Sequence, residues 1–366
     1  MTDFSHPYFT SGLITCIGNK RALLPFIAEG VECVKRALGR DKLSVFEGFA
    51  GSGAVSGYLK TEASRLTVCD LEEYSRVVNS CRLASPSAEV IERTRERIEI
   101  INNLPQKPGF IAANYAPEND DLIKPGERVF YTRRNGVFID TAKEYIFTEI
   151  PESERDYCLA PLIEKASVHT NTSGVFKGFH KQNGVGKFGG RGANALGRIM
   201  KDIVLDMPMF YPADCDVEVL RDDAESAARE RKGYDMAYLD PPYNRHPYGS
   251  NYFMLNIIAS PDMEPDIQDG VSGILKDWNR SPYNSPGTAA EALRGLIDAV
   301  DAKYILLSYN NEGLIPQEEL RALLSGYGET ELRIKDYNTY RGSRNLRKRN
   351  IKVKEQLWIL KKGQRK

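Results

Sequence analysis

The stretch from Leu43 to Asp70 constrains the fold more than any other. An apolar run, Leu43-Ser44-Val45-Phe46-Glu47, has the length and composition of a buried strand. It leads through Gly48-Phe49-Ala50-Gly51-Ser52-Gly53 into small residues, Ala54 to Leu59, that read as a helix. A second apolar run, Arg65 to Cys69, ends at Asp70. Strand, glycine turn, helix and strand form the first unit of a doubly wound parallel sheet, because parallel strands need a crossover and a helix supplies it. The rest of the chain must extend that sheet or be inserted into it.

The same stretch indicates a ligand. Glycine lets backbone approach a bound molecule closely, and an acid about twenty residues on holds ribose hydroxyls in this fold class. The glycines lack GxGxxG spacing, and no Lys-Ser/Thr pair follows them, so a pyrophosphate or triphosphate is disfavoured. What remains is a nucleoside ligand without pyrophosphate, of which S-adenosylmethionine is the common case. The bland alternative is a turn that merely joins a strand to a helix, with Asp70 as a cap.

A second constraint comes from Tyr238-Leu239-Asp240-Pro241-Pro242-Tyr243-Asn244. The short apolar run before Asp240 reads as a strand, and two prolines end it because they cannot donate to a ladder. A carboxylate, a rigid elbow and an aromatic ring are thus presented together at a strand end. That combination suits a flat, amino-bearing ring such as a nucleobase.

The remaining elements fit around these two. Residues 20 to 38 carry Leu23, Leu24, Ile27, Val31, Val34 and Leu38 at helical spacing, preceded by Cys16-Ile17-Gly18-Asn19-Lys20. Helices are also expected over 87–104, over 138–168 with a break at Pro151, and over 251–259, 288–300 and 316–324. Strands are expected at 217–220 and 304–307, with an antiparallel pair at 331–337 and 356–360. Residues 105–135, rich in Pro, Gly, Asn and charge, mark a departure from the sheet.

Fifty basic residues balance fifty acidic ones, so a nucleic-acid partner is not announced by net charge. The distribution is uneven. From Gly174 to Lys201 there is no acid, while Lys177, Lys181, Lys187, Arg191, Arg198 and Lys201 are interleaved with His180, Phe176, Phe179, Phe188 and eight glycines. Such a segment can follow a phosphate backbone and reach bases, although a solvated surface loop is the plainer reading. From Arg333 to Lys366 thirteen basic residues face two acids, Asp336 and Glu355, and Arg341 and Arg344 lie in that run. Cys16, Cys33, Cys69, Cys81, Cys158 and Cys215 form no CxxC pair or zinc-like cluster, so no metal is expected and reduced thiols are. With no signal-like amino terminus and no apolar run of membrane-spanning length, a cytoplasmic protein without membrane contact is expected.

In their order, these pieces resemble the DNA adenine methylase family, S-adenosylmethionine-dependent enzymes that methylate adenine N6. The resemblance rests on Ile17-Gly18-Asn19-Lys20, Phe46 to Gly53, the 174–201 region and Asp240-Pro241-Pro242-Tyr243, and runs from residue 12 to residue 360. It implies a Rossmann-like α/β methyltransferase sheet with an antiparallel C-terminal strand. The catalytic unit would comprise residues 1–110 and 203–366, and residues 111–202 an inserted target-recognition region.

The resemblance also implies roles. Asp240 and the Pro241 carbonyl accept the N6 hydrogens of a flipped adenine, Pro242 stiffens the loop and Tyr243 stacks on the base. Lys20 reaches the methionine carboxylate, Asp70 the ribose and Asp223, preferred over Asp222, the cofactor adenine. Gly18, Glu47, Phe49, Gly51, Gly53 and Asp240 complete the cofactor set. Lys177, His180, Lys181, Lys187, Arg191, Arg198, Arg341 and Arg344 would contact double-stranded DNA. A restriction-modification role would add a cognate endonuclease as a functional counterpart. His246, Tyr248, Asn251 and Tyr252 either help hold displaced DNA or are ordinary surface residues. The alternatives are cytosine N4 or RNA adenine as the target, or a DNA-binding protein that has lost catalysis.

Overall fold

β1 (Leu43–Glu47) is central to a sheet of seven strands, counted among the described residues of the computed structural model, which are 2–11, 14, 18–338 and 352–363. The others are β2 (Ala63–Asp70), β3 (Asp216–Arg221), β4 (Tyr234–Leu239), β5 (Ala302–Asn310), β6 (Gly328–Asn338) and β7 (Lys352–Lys362). Across the sheet they run β3-β2-β1-β4-β5-β7-β6. Pairs from β3 to β5 are parallel, whereas β7 is antiparallel to both its neighbours. This is the Rossmann-like sheet with an antiparallel C-terminal strand.

That order has two consequences for a site. The chain leaves β1 toward β2 and β3 and returns to β4 on the other side, so strand order reverses between β1 and β4. Open α/β sheets bind ligands outside the carboxyl ends of the strands at such a reversal. Because β7 runs backwards, its beginning lies on that same edge, with Glu355 in register with Asn310 at the end of β5.

Helices cover the sheet: α1 (Leu24–Leu38), α2 (Ala54–Glu62), α3 (Glu73–Leu83), α4 (Ala88–Asn103), α5 (Phe110–Tyr115), α6 (Arg133–Glu149), α7 (Glu152–Val168), α8 (Ala224–Glu230), α9 (Phe253–Ala259), α10 (Ala289–Ala299) and α11 (Gln317–Ser325). Val45, Val68, Met236, Leu306 and Leu357 pack with Ile27, Val31 and Val34 of α1 and Leu59 of α2. The alternate residues Phe46, Ala237, Leu307 and Trp358 pack with α8, α10 and α11. Burial on both faces is what a parallel sheet requires. No helix among the described residues is long and apolar enough to cross a membrane.

A third core joins α3, α4 and α9 to α5, α6 and α7, through Val77, Ile98, Ile139, Ile146, Leu162 and Phe253. Helices within 111–202 thus share their core with helices outside that range. Two polar side chains fix this packing. Asp140 accepts the backbone N–H groups of Gly109, Ile111 and Ala112, each at 2.8 Å, and so caps α5. Lys143 donates to the carbonyls of Ile257 and Asp262, tying α6 to the end of α9.

The helix α3 has no counterpart in the sequence reading. Its apolar stripe, Tyr74, Val77, Val78 and Cys81, has helical spacing and was the available signal, although Ser75, Asn79 and Arg82 are buried beside it. The sheet-side strand and helix expectations are otherwise met, with boundaries extended by a few residues, as helix ends and strand ends commonly are.

Candidate active site

The glycine turn after β1 is shaped by groups from three elements. Ala50 N–H donates to the Cys69 carbonyl at 3.0 Å, and Gly51 N–H to Asp70 Oδ2 at 2.7 Å. Ser75 Oγ of α3 donates to the Gly51 carbonyl at 2.7 Å. Gly53 has φ +76°, and a Cβ there would lie 2.8 Å from Asn79 Oδ1, so both its backbone and its lack of a side chain are required. Asp70 also accepts Glu72 N–H at 2.9 Å. It therefore holds the turn at the mouth of the cleft, with each carboxylate oxygen already accepting once.

On the other side of the reversal, β4 ends at Leu239 and delivers Asp240. The loop beyond is pinned, since Leu314 N–H donates to the Tyr243 carbonyl at 3.1 Å and Asn284 Nδ2 to the Asn244 carbonyl at 2.7 Å. Tyr309 sets its ring against that of Tyr243 at 5.8 Å and 69°, an edge-on contact. Gly18 (φ +80°) makes room for this ring, because a Cβ there would meet the hydroxyls of Tyr243 and Tyr248, each at 3.2 Å.

Between turn and loop lies a cleft of about 940 Å³ including its open mouth. Of the predicted cofactor residues, Gly18, Lys20, Glu47, Phe49, Gly51, Asp70, Asp223 and Asp240 line it, and Gly53 stands immediately behind the turn. Asp222 lines it as well. Asp223 is the N-cap of α8, with Oδ1 accepting Glu225 and Ser226 N–H. Sequence reasoning missed Glu72, Tyr283 and Asn279, which complete the wall. Tyr283 meets Phe49 edge to face at 5.1 Å and 84°. Glu72 Oε2 accepts from Asn256 Nδ2 and Asn279 Nδ2, and burial pushes its pKa up to about 7.

The electrostatics of the cleft are one-sided. Among the described residues that line it, Glu47, Asp70, Glu72, Asp222, Asp223 and Asp240 face one cation, Lys20. That cation is itself engaged: its ammonium lies 3.1 Å from Asp240 Oδ1 and 2.9 Å from Glu355 Oε1, and 5.0 Å from the centre of the Tyr243 ring. Burial would lower the pKa of Lys20, but Asp240, Tyr243 and Glu355 outweigh it and hold the group well above its ordinary value. For Asp240, burial prevails over the attraction of Lys20, and Glu355 adds repulsion, pushing the carboxyl up to about 6. Glu47 is buried with neither oxygen hydrogen-bonded, and burial pushes its pKa well up.

Glu355 was also missed. The available signal was an acid between Lys354 and Gln356 in an apolar strand of an otherwise basic tail.

The basic segment is placed near the loop that follows β4. Phe176 N–H donates to the Asn251 carbonyl at 2.7 Å, and Ser272 donates to the Lys177 carbonyl. Lys177, Lys181, Lys187 and Arg191 are exposed, and His180 and Arg198 are half-buried. Buried Asn171 anchors the segment, with Nδ2 donating to the Val129 carbonyl at 2.8 Å and Oδ1 accepting Gly189 N–H at 3.0 Å. Phe176 is a core residue stacked near Phe130, and Phe188 is buried too, so neither serves as a base platform in this arrangement. Asn251 and Tyr252, left between a contact with displaced DNA and an ordinary surface role, are likewise buried. Arg341, Arg344, Cys16 and Ile17 lie outside the described residues.

Comparison with known proteins agrees with this geometry. Residues 17–323 match the family model for D12 class N6 adenine-specific DNA methyltransferases. The chain is 30% identical over 323 residues to the Type II methyltransferase M.NlaIII of Neisseria lactamica, covering 86% of this chain and 89% of that protein. It is 28% identical over 305 residues to the Type II methyltransferase M.CviAII of Paramecium bursaria Chlorella virus 1, covering 80% and 83%. The modification methylase LlaI of Lactococcus lactis subsp. lactis is 27% identical over 343 residues, which are 88% of this chain and 51% of that protein.

Proposed function

The chain belongs to the D12 class N6 adenine-specific DNA methyltransferases, and on that premise we propose that its cleft binds S-adenosylmethionine while Asp240 holds the amino group of a flipped adenine. The protein is an adenine-specific DNA methyltransferase, and methyltransferases of this family depend on S-adenosylmethionine in general. The observation that supports the cleft as its site is charge. A wall of carboxylates around a buried Glu47 without a hydrogen-bond partner suits a ligand bearing a sulfonium and an ammonium, and repels a polyphosphate. Glu47 would take the ammonium end, Asp70 and Glu72 the ribose hydroxyls, and Asp223 with Phe49 and Tyr283 the adenine. The methionine carboxylate would lie near Lys20 and the unpaired N–H groups opening α2. When bound, the cofactor supplies an electrophilic methyl group on sulfur.

The protein's own groups do the rest. Adenine N6 is out of reach inside a duplex, so the base must leave the stack, and Tyr243 offsets part of that loss by stacking on it. Asp240 Oδ1 is buried against Lys20 at 3.1 Å while the side chain stays 16% exposed, which leaves Oδ2 to accept an N6 hydrogen. The Pro241 carbonyl accepts the other. Two acceptors draw N6 toward tetrahedral geometry and expose its lone pair, and the carboxylate stabilises the positive charge that develops there. Prolines at 241 and 242 remove N–H donors where acceptors are needed.

Exposed Lys177, Lys181, Lys187 and Arg191, with Arg198, His180, Arg341 and Arg344, would carry double-stranded DNA to the cleft. The relatives named as Type II methyltransferases and modification methylases favour a restriction-modification role, in which methylation protects DNA from a cognate endonuclease. Residues 111–202 would supply target recognition. The test is Asp240→Asn in single-turnover transfer. Methyl transfer should be lost while DNA affinity stays within about threefold; turnover near the wild-type rate would refute the assignment.

A further inference from the structure

Lys20, Asp240 and Glu355 form one buried cluster in which a single ammonium faces two carboxylates. Side-chain exposure is 4% for both Lys20 and Glu355, and 16% for Asp240. Ser308 Oγ of β5 donates to Glu355 Oε1 at 3.1 Å, the same oxygen that lies 2.9 Å from Lys20. Were neutralising Asp240 all that was required, Lys20 alone would suffice. A second carboxylate leaves the cluster one charge negative in a dry site, which is unfavourable for folding. Buried ion clusters add little net stability in any case, so the arrangement calls for a chemical explanation.

We infer that Glu355 is a positioning residue for methyl transfer: by sharing the Lys20 ammonium it keeps Asp240 anchored yet open as an acceptor for the adenine amino group. The inference rests on the reading of Asp240 given above. The geometry supports it in two ways. Lys20 lies 2.9 Å from Glu355 Oε1 and 3.1 Å from Asp240 Oδ1, so its ammonium is shared between the two carboxylates and not committed to Asp240. Among the described residues Lys20 is the one cation paired with Glu355, since Lys335, opposite it in the β6–β7 register, is exposed with its ammonium over the Phe26 ring.

The charged and titratable groups around Asp240 are Lys20 beside α1, Glu47 at the end of β1, Tyr238 on β4, Tyr243 in the loop and Glu355 on β7. Among them Lys20 favours the ionised carboxylate, while Glu355 opposes it. Removing the charge of Glu355 therefore commits Lys20 to Asp240, lowering both the proton affinity of Asp240 and its strength as an acceptor.

The experiment is the pH dependence of the single-turnover methylation rate for wild type, Glu355→Gln, Glu355→Asp and Asp240→Asn. In Glu355→Gln the acid limb should move to lower pH by about one unit, with a plateau about tenfold lower and KM values for DNA and S-adenosylmethionine within twofold. Glu355→Asp, which keeps the charge, should keep the limb at its wild-type position. A merely structural role would lower the rate at every pH without moving the limb, and an unmoved limb in Glu355→Gln overturns the inference. Should Glu355→Gln fail to fold, Glu355→Ala, which also removes the charge, is read in its place: a limb moved to lower pH supports the inference and an unmoved limb overturns it. If Asp240→Asn is inactive while the Glu355→Gln limb is unmoved, only the role of Glu355 fails. If Asp240→Asn turns over normally, the reading of Asp240 fails first.

Discussion

Asp240→Asn should make the protein inactive and, at neutral pH, more stable. Burial keeps the carboxyl at about 6, against an ordinary 3.8. Each unit corresponds to about 1.36 kcal/mol, so the ionised side chain costs the fold at most about 3 kcal/mol. The sign follows from proton counts. Between pH 3.8 and 6 the folded protein holds this proton and the unfolded chain has lost it, so rising pH favours unfolding, and above pH 6 the whole penalty is present. Asparagine removes the charge, and Lys20 keeps Glu355 at 2.9 Å, so no ammonium is stranded. Urea denaturation at pH 4 and pH 8 tests this. The variant should match wild type at pH 4 and exceed it by about 2–3 kcal/mol at pH 8. Glu72 titrates in both proteins and cancels in the difference, while loss of the Asp240 charge also relieves Glu47, which acts in the same direction. Equal stability at both pH values, or a less stable variant at pH 8, would refute the account of a destabilised, pre-arranged carboxylate.

Cofactor binding should also depend on pH. Glu72, with its pKa pushed up to about 7, gains charge through neutrality, so calorimetric affinity for cationic S-adenosylmethionine should tighten from pH 6 to pH 8, with a shallower change for the uncharged-sulfur product S-adenosylhomocysteine. Gly53→Ala places a Cβ 2.8 Å from Asn79 Oδ1 at φ +76°, and should destabilise the protein by about 1–2 kcal/mol and weaken cofactor binding in the same titration.

What could be read in the sequence was local. Leu43 to Asp70 announces its strands and turn through short apolar runs and glycines, and Asp240 to Tyr243 announces a strand end through proline chemistry; both fold as read. The helix α3 was overlooked although Tyr74, Val77, Val78 and Cys81 recur at helical spacing, because the polar Ser75, Asn79 and Arg82 are buried among them. Glu355 was hidden for another reason. Its partner Lys20 is at the opposite end of the chain, and the two meet only because β7 runs antiparallel and brings its start to the catalytic edge. Lys20 was read as a ligand for the cofactor carboxylate, and no local pattern links it to Asp240 and Glu355, the two side chains that share its ammonium. The basic neighbours of Phe176 left it between a core residue and a base platform, and the core formed by Phe130 and Phe253 claims it.

The most direct measurement is to express the protein in a methylation-deficient bacterium, alongside Asp240→Asn, and map modified bases across the genome. Wild type should leave N6-methyladenine at one sequence context, and Asp240→Asn none. N4-methylcytosine in the wild-type culture, or N6-methyladenine persisting with Asp240→Asn, would contradict the account.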